Sequence, residues 1–280
     1  MIDVAILGAG ELGGALAHRL ARTNAAATIR LVDETGRVAA GKALDIAEAA
    51  PIEGFATAVS GSTDAIAAAG ADVIVLADRS TGGEWQDDDG LLMLKRVAQQ
   101  RSGAIIVCAG AAQRDLVERG VGELGITRTQ LFGSAPGALA AAAHALIALE
   151  MNASPRDVAL TMLGVPPGQI VIPWDEASIG GVSATRALSA PARRRIIERL
   201  PALWPPGPYA LAAAAAQVVE SIATRSRRLS ICFVAPDRSA GTRARTAALP
   251  VRLDAQGIAE IVMPDLNAHD RVLMDNALLL

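Results

Sequence analysis

The chain has 280 residues, a length that suits two joined domains or one large α/β domain. Its formal net charge of −3 argues against a nucleic-acid-binding surface, and its 51% hydrophobic residues can build a sizeable core. Aromatic residues make up only 2%, so we expect that core to consist mainly of aliphatic side chains.

The two cysteines, Cys108 and Cys232, lie inside apolar runs, and we expect them to be buried, reduced thiols. No spacing of Cys or His is typical of a metal site. We expect no signal peptide, and the sequence has no uninterrupted apolar stretch of membrane-spanning length. The sequence therefore predicts a cytoplasmic protein without a membrane or nucleic-acid partner.

The N-terminal sequence predicts a dinucleotide-binding turn. Ile2–Leu7 is an apolar run typical of a strand, Leu12–Ala21 has a helical pattern, and Thr28–Val32 predicts a second strand that ends at Asp33. Between the first strand and the helix lies a Gly-x-Gly-x-x-Gly turn, and Asp33 follows twenty positions after its last glycine. We therefore predict NAD as cofactor, bound by Gly8, Gly10, Glu11, Leu12, Gly13 and Asp33.

Each of these residue types has a physical role in such a site. Gly8 permits the tight turn, Gly10 lets a pyrophosphate approach the backbone, and Gly13 lets the helix pack closely on the strand. The helix N-terminus offers free N–H groups to the phosphates, and Asp33 would accept hydrogen bonds from the adenosine ribose. The acidic pair Asp33–Glu34 favours NAD over NADP, although the nearby Arg37 weakens that preference.

Apolar strands alternate with helices through the first half of the chain, and a polar segment, Asp78–Gly90, has the length of a functional lid. This alternation predicts a Rossmann-type, doubly wound parallel sheet over residues 1–135. Further strands are expected at Thr57–Ser60, Asp72–Leu76, Ala104–Cys108 and Gln130–Phe132, and helices at Gly36–Ala50 (closed by Pro51), Leu91–Gln100, Gln113–Leu124 and Gly137–Met151.

From about residue 152 the strands and helices are segregated, which predicts a C-terminal α+β domain of substrate-binding type over residues 136–280. The expected strands are Val158–Leu163, Gln169–Ile172, Leu229–Val234, Thr246–Leu253 and Ile258–Val262, and the expected helices are Ala190–Leu200, Pro208–Thr224 and Asn267–Leu280.

Taken together, these segments resemble the lactate/malate dehydrogenase family over nearly the full length. The resemblance implies a Rossmann domain, a mixed substrate domain, bound NAD(H) and a homodimer or homotetramer. It also implies that the helix containing Gly41–Pro51 lies at the dimer interface. The matching stretches are Val4–His18, Gly41–Pro51, Gly70–Leu76, Tyr209–Ser221 and Gly257–Leu266.

The resemblance also implies a catalytic set of one histidine, its partner aspartate with a nearby arginine, two lid arginines and an asparagine, and these are not at the matching positions. The lid arginines fall at Gly82 and Asp88, the Asp-x-x-Arg pair at Leu139 and Ala142, the asparagine segment at Ala109–Ala112, and the histidine segment at Gly164–Gly168. Asp87, Asp88 and Asp89 would repel an anionic substrate, and only Arg79, shifted by about three residues, could replace a lid arginine. We assign no catalytic residue.

Other candidate residues have a plainer interpretation. His144 points away from the helix face of Leu139 and Ala142, so we interpret it as a structural or interface histidine. His18 is expected to be structural, and His269 to lie remote from the site. Trp85 could cover a ligand or pack on the body of the protein.

We consider three hypotheses. The leading one is a catalytically degenerate family member that binds NAD(H) and acts as a nucleotide-responsive subunit or interaction protein with an unknown partner. The alternative is an active NAD-dependent oxidoreductase, on a 2-hydroxy or 2-keto acid or an altered substrate, with a new cluster of Arg79, Glu84, Asp87 and Arg114. The third is a structural protein that binds no nucleotide, which an obstructed phosphate turn would favour.

Overall fold

The computed structural model describes residues 1–100, 103–237 and 244–279, without the side chain of Gln100. The last residue of the expected C-terminal helix, Leu280, lies outside the described residues. In chain order the strands are β1 (Ile2–Leu7), β2 (Ala26–Val32), β3 (Ala58–Ser62), β4 (Val73–Leu76), β5 (Asp78–Arg79), β6 (Gly83–Glu84), β7 (Ile105–Cys108), β8 (Leu131–Gly133), β9 (Val158–Ala159), β10 (Leu163–Val165), β11 (Gln169–Val171), β12 (Ser178–Ile179), β13 (Val182–Ser183), β14 (Leu229–Val234), β15 (Ala247–Asp254) and β16 (Gly257–Ile261).

The α-helices are α1 (Glu11–Arg22), α2 (Gly36–Glu53), α3 (Asp87–Gln100), α4 (Arg114–Leu124), α5 (Ala135–Met151), α6 (Ala184–Ala187), α7 (Ala190–Arg199), α8 (Pro208–Thr224) and α9 (Ala268–Leu279). Among the residues that the structure describes, no helix is both long enough and apolar enough to cross a bilayer.

Six parallel strands form the Rossmann sheet in the order β3–β2–β1–β4–β7–β8, which confirms the expected fold class. The central strands β4 and β7 are buried along their whole length, as expected for parallel strands covered on both faces. One face packs mainly on α1, α2 and α8, and the other on α3 and α4.

The sheet continues without a break into the C-terminal half. β8 pairs antiparallel with β14 through Gly133 and Phe233, and β15, β10, β11 and β16 extend the sheet. A second core gathers around α5 and α7, where Leu139 and Leu200 are fully buried. The division of the chain at residue 135 stays a prediction.

Three expected elements differ in the structure. Helix α2 passes through Pro51 and ends one turn later, where Gly54 (φ +77°) donates its N–H to the Ala50 carbonyl. The segment expected as one strand at Val158–Leu163 is two short strands, β9 and β10, in different sheets. The expected loop at Asp78–Gly90 is a short hairpin of β5 and β6 followed by the start of α3.

Two glycines in helices have opposite surroundings, which predicts opposite effects of alanine. A Cβ at Gly13 would lie 2.0 Å from the Gly8 carbonyl oxygen, so Gly13→Ala is expected to lower the free energy of unfolding by about 2–3 kcal/mol. A Cβ at Gly41 meets nothing within 4 Å, so Gly41→Ala should raise it by about 0.5–1 kcal/mol.

Urea denaturation of both variants measures these changes. Equal destabilisation by both substitutions would contradict the close packing of α1 on the Gly8 turn.

Candidate dinucleotide cleft

The glycine turn joins β1 to α1 at the carboxyl edge of the parallel sheet. Gly8 has φ +116°, a conformation that favours glycine, and its N–H donates to the Val32 carbonyl. The Lys42 ammonium of α2 donates to the Gly10 carbonyl and so fixes the other side of the turn. Sequence reasoning missed Lys42, although it is one of only two lysines in the chain.

The N-terminus of α1 is occupied by a carboxylate of the chain itself. Asp78 accepts hydrogen bonds from the backbone N–H groups of Leu12 (3.1 Å) and Gly13 (2.9 Å). Its own carbonyl accepts from Gly10 N–H at 2.9 Å, and a Cβ at Gly10 would lie 2.3 Å from the Asp78 carboxylate. The open space over Gly10 that a pyrophosphate needs therefore holds the side chain of Asp78.

Asp33, expected at the adenosine ribose, is buried and fully hydrogen-bonded within the chain. It accepts from the backbone N–H groups of Ala9, Thr35 and Ser80, and from Ser80 Oγ at 2.6 Å. Burial raises the pKa of Asp33, but these hydrogen bonds outweigh burial, and the net pKa is lowered. Ser80 thus takes the place that ribose hydroxyls would take on this carboxylate.

Glu84 makes the corresponding contact at the far end of the cleft, beyond β7. Its carboxylate accepts hydrogen bonds from the N–H groups of Ala111 (2.9 Å) and Ala112 (2.7 Å), and it fills the space over Gly110. Burial raises the pKa of Glu84 and outweighs these two hydrogen bonds, and the charge of Asp78 adds to the increase.

Trp85 fastens the same segment to the body of the protein. Its side chain is buried, and its indole N–H donates to the Leu7 carbonyl at 3.1 Å. The guanidinium of Arg79 lies 4.9 Å from the Trp85 ring centroid and also donates to the Gly82 carbonyl. Of the two roles considered for Trp85, the structure shows packing on the body.

We call Asp78–Gln86 the hairpin segment. Through Asp78 it contacts the glycine turn between β1 and α1, through Ser80 it contacts the carboxylate of Asp33, and through Glu84 it contacts the loop after β7. The structure brings the predicted cofactor-binding residues together, but the polar groups of Gly8, Gly10, Leu12, Gly13 and Asp33 are bonded to the chain itself.

The residues at the positions where the resemblance implies catalytic groups have structural roles in this fold. Leu139 is fully buried in the core around α5, and residues 164–168 form the end of β10 and the turn to β11. Asp88 lies in the first turn of α3 and pairs with Arg119 at 2.9 Å. Negative charge in the first turn of a helix is favourable, which accounts for the acidic run that begins at Asp87.

The cluster expected for the alternative enzyme does not assemble among the described residues. Glu84 is bonded to backbone N–H groups, Arg114 donates to the Thr246 carbonyl, and Arg79 pairs with Asp89 at 3.6 Å. No hydrogen bond or ion pair within the described ranges joins Arg79, Glu84, Asp87 and Arg114 to one another.

Two expectations about isolated side chains can also be compared with the structure. Cys108 and Cys232 are free and buried, as expected, and burial raises the pKa of Cys232 to about 12. His18 lies 3.1 Å from the Glu53 carboxylate on the helix surface.

Comparisons with known proteins identify similar sequences and similar structures. Residues 2–87 match the model of the lactate/malate dehydrogenase NAD-binding domain. The malate dehydrogenase of Thermomicrobium roseum is 29% identical over 97% of this chain and 93% of that protein. The chain is therefore similar to malate dehydrogenases over nearly its whole length. The solved malate dehydrogenase of Salinibacter ruber superposes with a TM-score of 0.85 at 25% identity, over 98% of this chain and 93% of that one.

Solved structures of lower sequence identity share the fold of this chain. The structure of Plasmodium falciparum malate dehydrogenase in complex with NADH superposes with a TM-score of 0.86 at 19% identity, over 98% of this chain and 94% of that one. The donor set of this chain fits a phosphate, because the N-terminus of α1 already holds an anion, the Asp78 carboxylate. A phosphate bound there would compete with Asp78 for the same N–H groups.

This competition predicts that removal of Asp78 exposes an anion site. Asp78→Ala should lower the free energy of unfolding by about 1–2 kcal/mol, because two N–H groups of α1 lose a charged acceptor. Millimolar pyrophosphate should then raise the melting temperature of Asp78→Ala more than that of the wild type.

Asp275→Ala, an exposed position on α9, is the matched control for the lost charge and should respond to pyrophosphate like the wild type. An identical pyrophosphate shift in all three proteins would refute the occupied anion site.

The raised pKa of Glu84 predicts a pH-dependent stability. The folded state binds the Glu84 proton more tightly than the unfolded state, so stability from this group is present at low pH and is lost as pH rises through the folded pKa. The wild type should lose stability relative to Glu84→Gln as the pH rises from below the ordinary glutamate pKa of 4.5 towards neutrality, as measured by thermal unfolding. Glu198→Gln, on the exposed face of α7, should show no such trend.

Proposed function

We propose that the protein binds NAD(H) in the cleft at Gly8–Gly13 and Asp33, and that binding displaces the hairpin segment. In this proposal it acts as a nucleotide-responsive or interaction protein and does not carry out the hydride transfer of its relatives. The observation that carries it is the Asp78 carboxylate on the N–H groups of Leu12 and Gly13, since the site holds an anion that a phosphate can replace.

The contacts that nucleotide must replace are matched in chemistry. A pyrophosphate would accept the hydrogen bonds that Leu12 and Gly13 now donate to Asp78, and a ribose would donate to Asp33 as Ser80 now does. NAD supplies both groups together with a nicotinamide that can accept hydride. The residues Gly8, Gly10, Glu11, Leu12, Gly13 and Asp33 would hold it.

Catalytic degeneracy follows from the side chains at the substrate end. An anionic 2-keto acid needs a bidentate cation and a positioned proton donor. The matching positions offer Leu139, Ala142 and the apolar turn at Gly164–Gly168, none of which binds a carboxylate or transfers a proton.

A homo-oligomer is part of this proposal. Helix α2, which corresponds to the interface helix of the resemblance, leaves Leu44 61% and Ile52 88% exposed. Large apolar side chains on one exposed helix favour burial against a second copy of the chain.

A second candidate function rests on the same obstruction. If the hairpin segment never leaves the cleft, the protein is a structural partner in which Asp78, Ser80 and Glu84 permanently replace the nucleotide. The many partners of the segment, including the buried Trp85, favour this reading.

Calorimetry with NADH separates the possibilities. We expect the wild type to bind and Asp78→Ala to bind about 5- to 30-fold more tightly, because about 1–2 kcal/mol of competing contact is removed. Hydrogen exchange at Ser80–Glu84 should speed up when NADH binds, while Leu12 and Gly13 remain protected.

Steady-state assays with oxaloacetate and pyruvate should show no NADH consumption, and measurable turnover would overturn the degenerate reading. Binding to Asp78→Ala but not to the wild type would support the second candidate. Failure of both proteins to bind would refute a nucleotide role.

A further inference from the structure

A cavity of about 780 Å³ lies outside the dinucleotide cleft, between α5, α8 and β14. Its size is that of small-molecule sites, and its walls are mostly small and apolar. The wall residues include Ala140, Ala141, Val158, Leu160, Ala214 and Val218. Such walls suit an apolar ligand body, while several of the remaining lining residues are polar or charged.

Two arginines give the exposed side of this cavity a positive charge. Arg156 and Arg228 both line it, and among the described residues neither side chain has a hydrogen bond or an ion pair. No described residue that lines the cavity is acidic. Glu220, on α8, lines a neighbouring cavity and accepts a hydrogen bond from Thr23 Oγ1 at 3.0 Å. The guanidinium groups are therefore available to an anion.

Two buried hydroxyl groups in the cavity lining lack hydrogen-bond partners. Ser134 is completely buried and Ser230 is 4% exposed, both line the cavity, and neither Oγ has a hydrogen-bond partner. Buried hydroxyl groups without partners are unfavourable, and water or a polar ligand atom can satisfy them. Ser134 precedes α5, which has no acidic residue in its first turn.

His144 completes the polar set. It is half-buried on α5, ten residues after Ser134 and thus about 15 Å along the helix, and it is hydrogen-bonded to the Leu160 carbonyl. Burial lowers its pKa, the Leu160 contact opposes this, and the charge of Arg228 lowers it further. Arg228 and His144 both line the cavity.

We propose that this cavity binds an amphipathic organic anion, with its acidic head between Arg156, Arg228 and His144 and its apolar body along α5 and α8. Charge complementarity selects the head, because the lining has two unpaired guanidinium groups and no carboxylate. The alanine and valine walls select the body. This inference uses no residue of the dinucleotide cleft and does not depend on the proposed function.

The test uses octanoate and octyl phosphate as probes, with octanol as the neutral control and inorganic phosphate as the head alone. The chain has three histidines, so the ring resonances in an NMR spectrum can be assigned with His18→Gln and His269→Gln. We expect at least one octyl anion to shift the His144 resonance saturably, without shifting His18 or His269. The anion that binds more tightly identifies the head group.

The double variant Arg156→Gln/Arg228→Gln should weaken that binding at least tenfold. The double variant Arg194→Gln/Arg199→Gln removes the same charge from exposed positions of α7 and should bind like the wild type. Failure of both octyl anions to shift His144, an equal response to octanol, an equal response to inorganic phosphate, or unchanged binding by Arg156→Gln/Arg228→Gln would each overturn the proposal.

Discussion

The hydrogen bonds from Leu12 and Gly13 to the Asp78 carboxylate are the contact on which the cleft depends. A helix N-terminus has N–H groups without partners and a positive end of the helix dipole, so an anion there is stabilising. The fingerprint glycines remove the side chains that would keep an anion away. Once Asp78 occupies this position, the next few residues must cross the cleft, which brings Ser80 to Asp33 and Glu84 to Ala111.

Competition between this contact and a dinucleotide sets the scale of any response. A ligand that binds only the open form has its affinity reduced by the fraction of molecules that are open. If closure is worth about 3 kcal/mol, the apparent dissociation constant rises by about 150-fold, since each 1.4 kcal/mol is a factor of ten.

Much of the fold could be predicted from the sequence, because apolar runs such as Ile2–Leu7 and Ile105–Cys108 report burial directly. The role of Asp78 could not, since it depends on a contact across 66 residues and on the exact path of a polar segment. The buried position of Trp85 has the same cause. The expected end of α2 at Pro51 was wrong, because proline near the last turn gives up a single N–H and Gly54 supplies the actual stop.

The cavity beside α5 illustrates a different limit. The face of α5 formed by Gly137, Ala140, Ala141 and His144 gives a visible signal, one ionisable side chain among small ones, but its meaning depends on Arg156 and Arg228 from other elements. The opposite face carries Leu139, which is buried at the position where the resemblance to the lactate/malate dehydrogenase family implies an aspartate. An aspartate there would need a cationic or hydrogen-bonded partner, since an isolated buried carboxylate is strongly unfavourable. The apolar Leu139 therefore fits the fully buried core around α5.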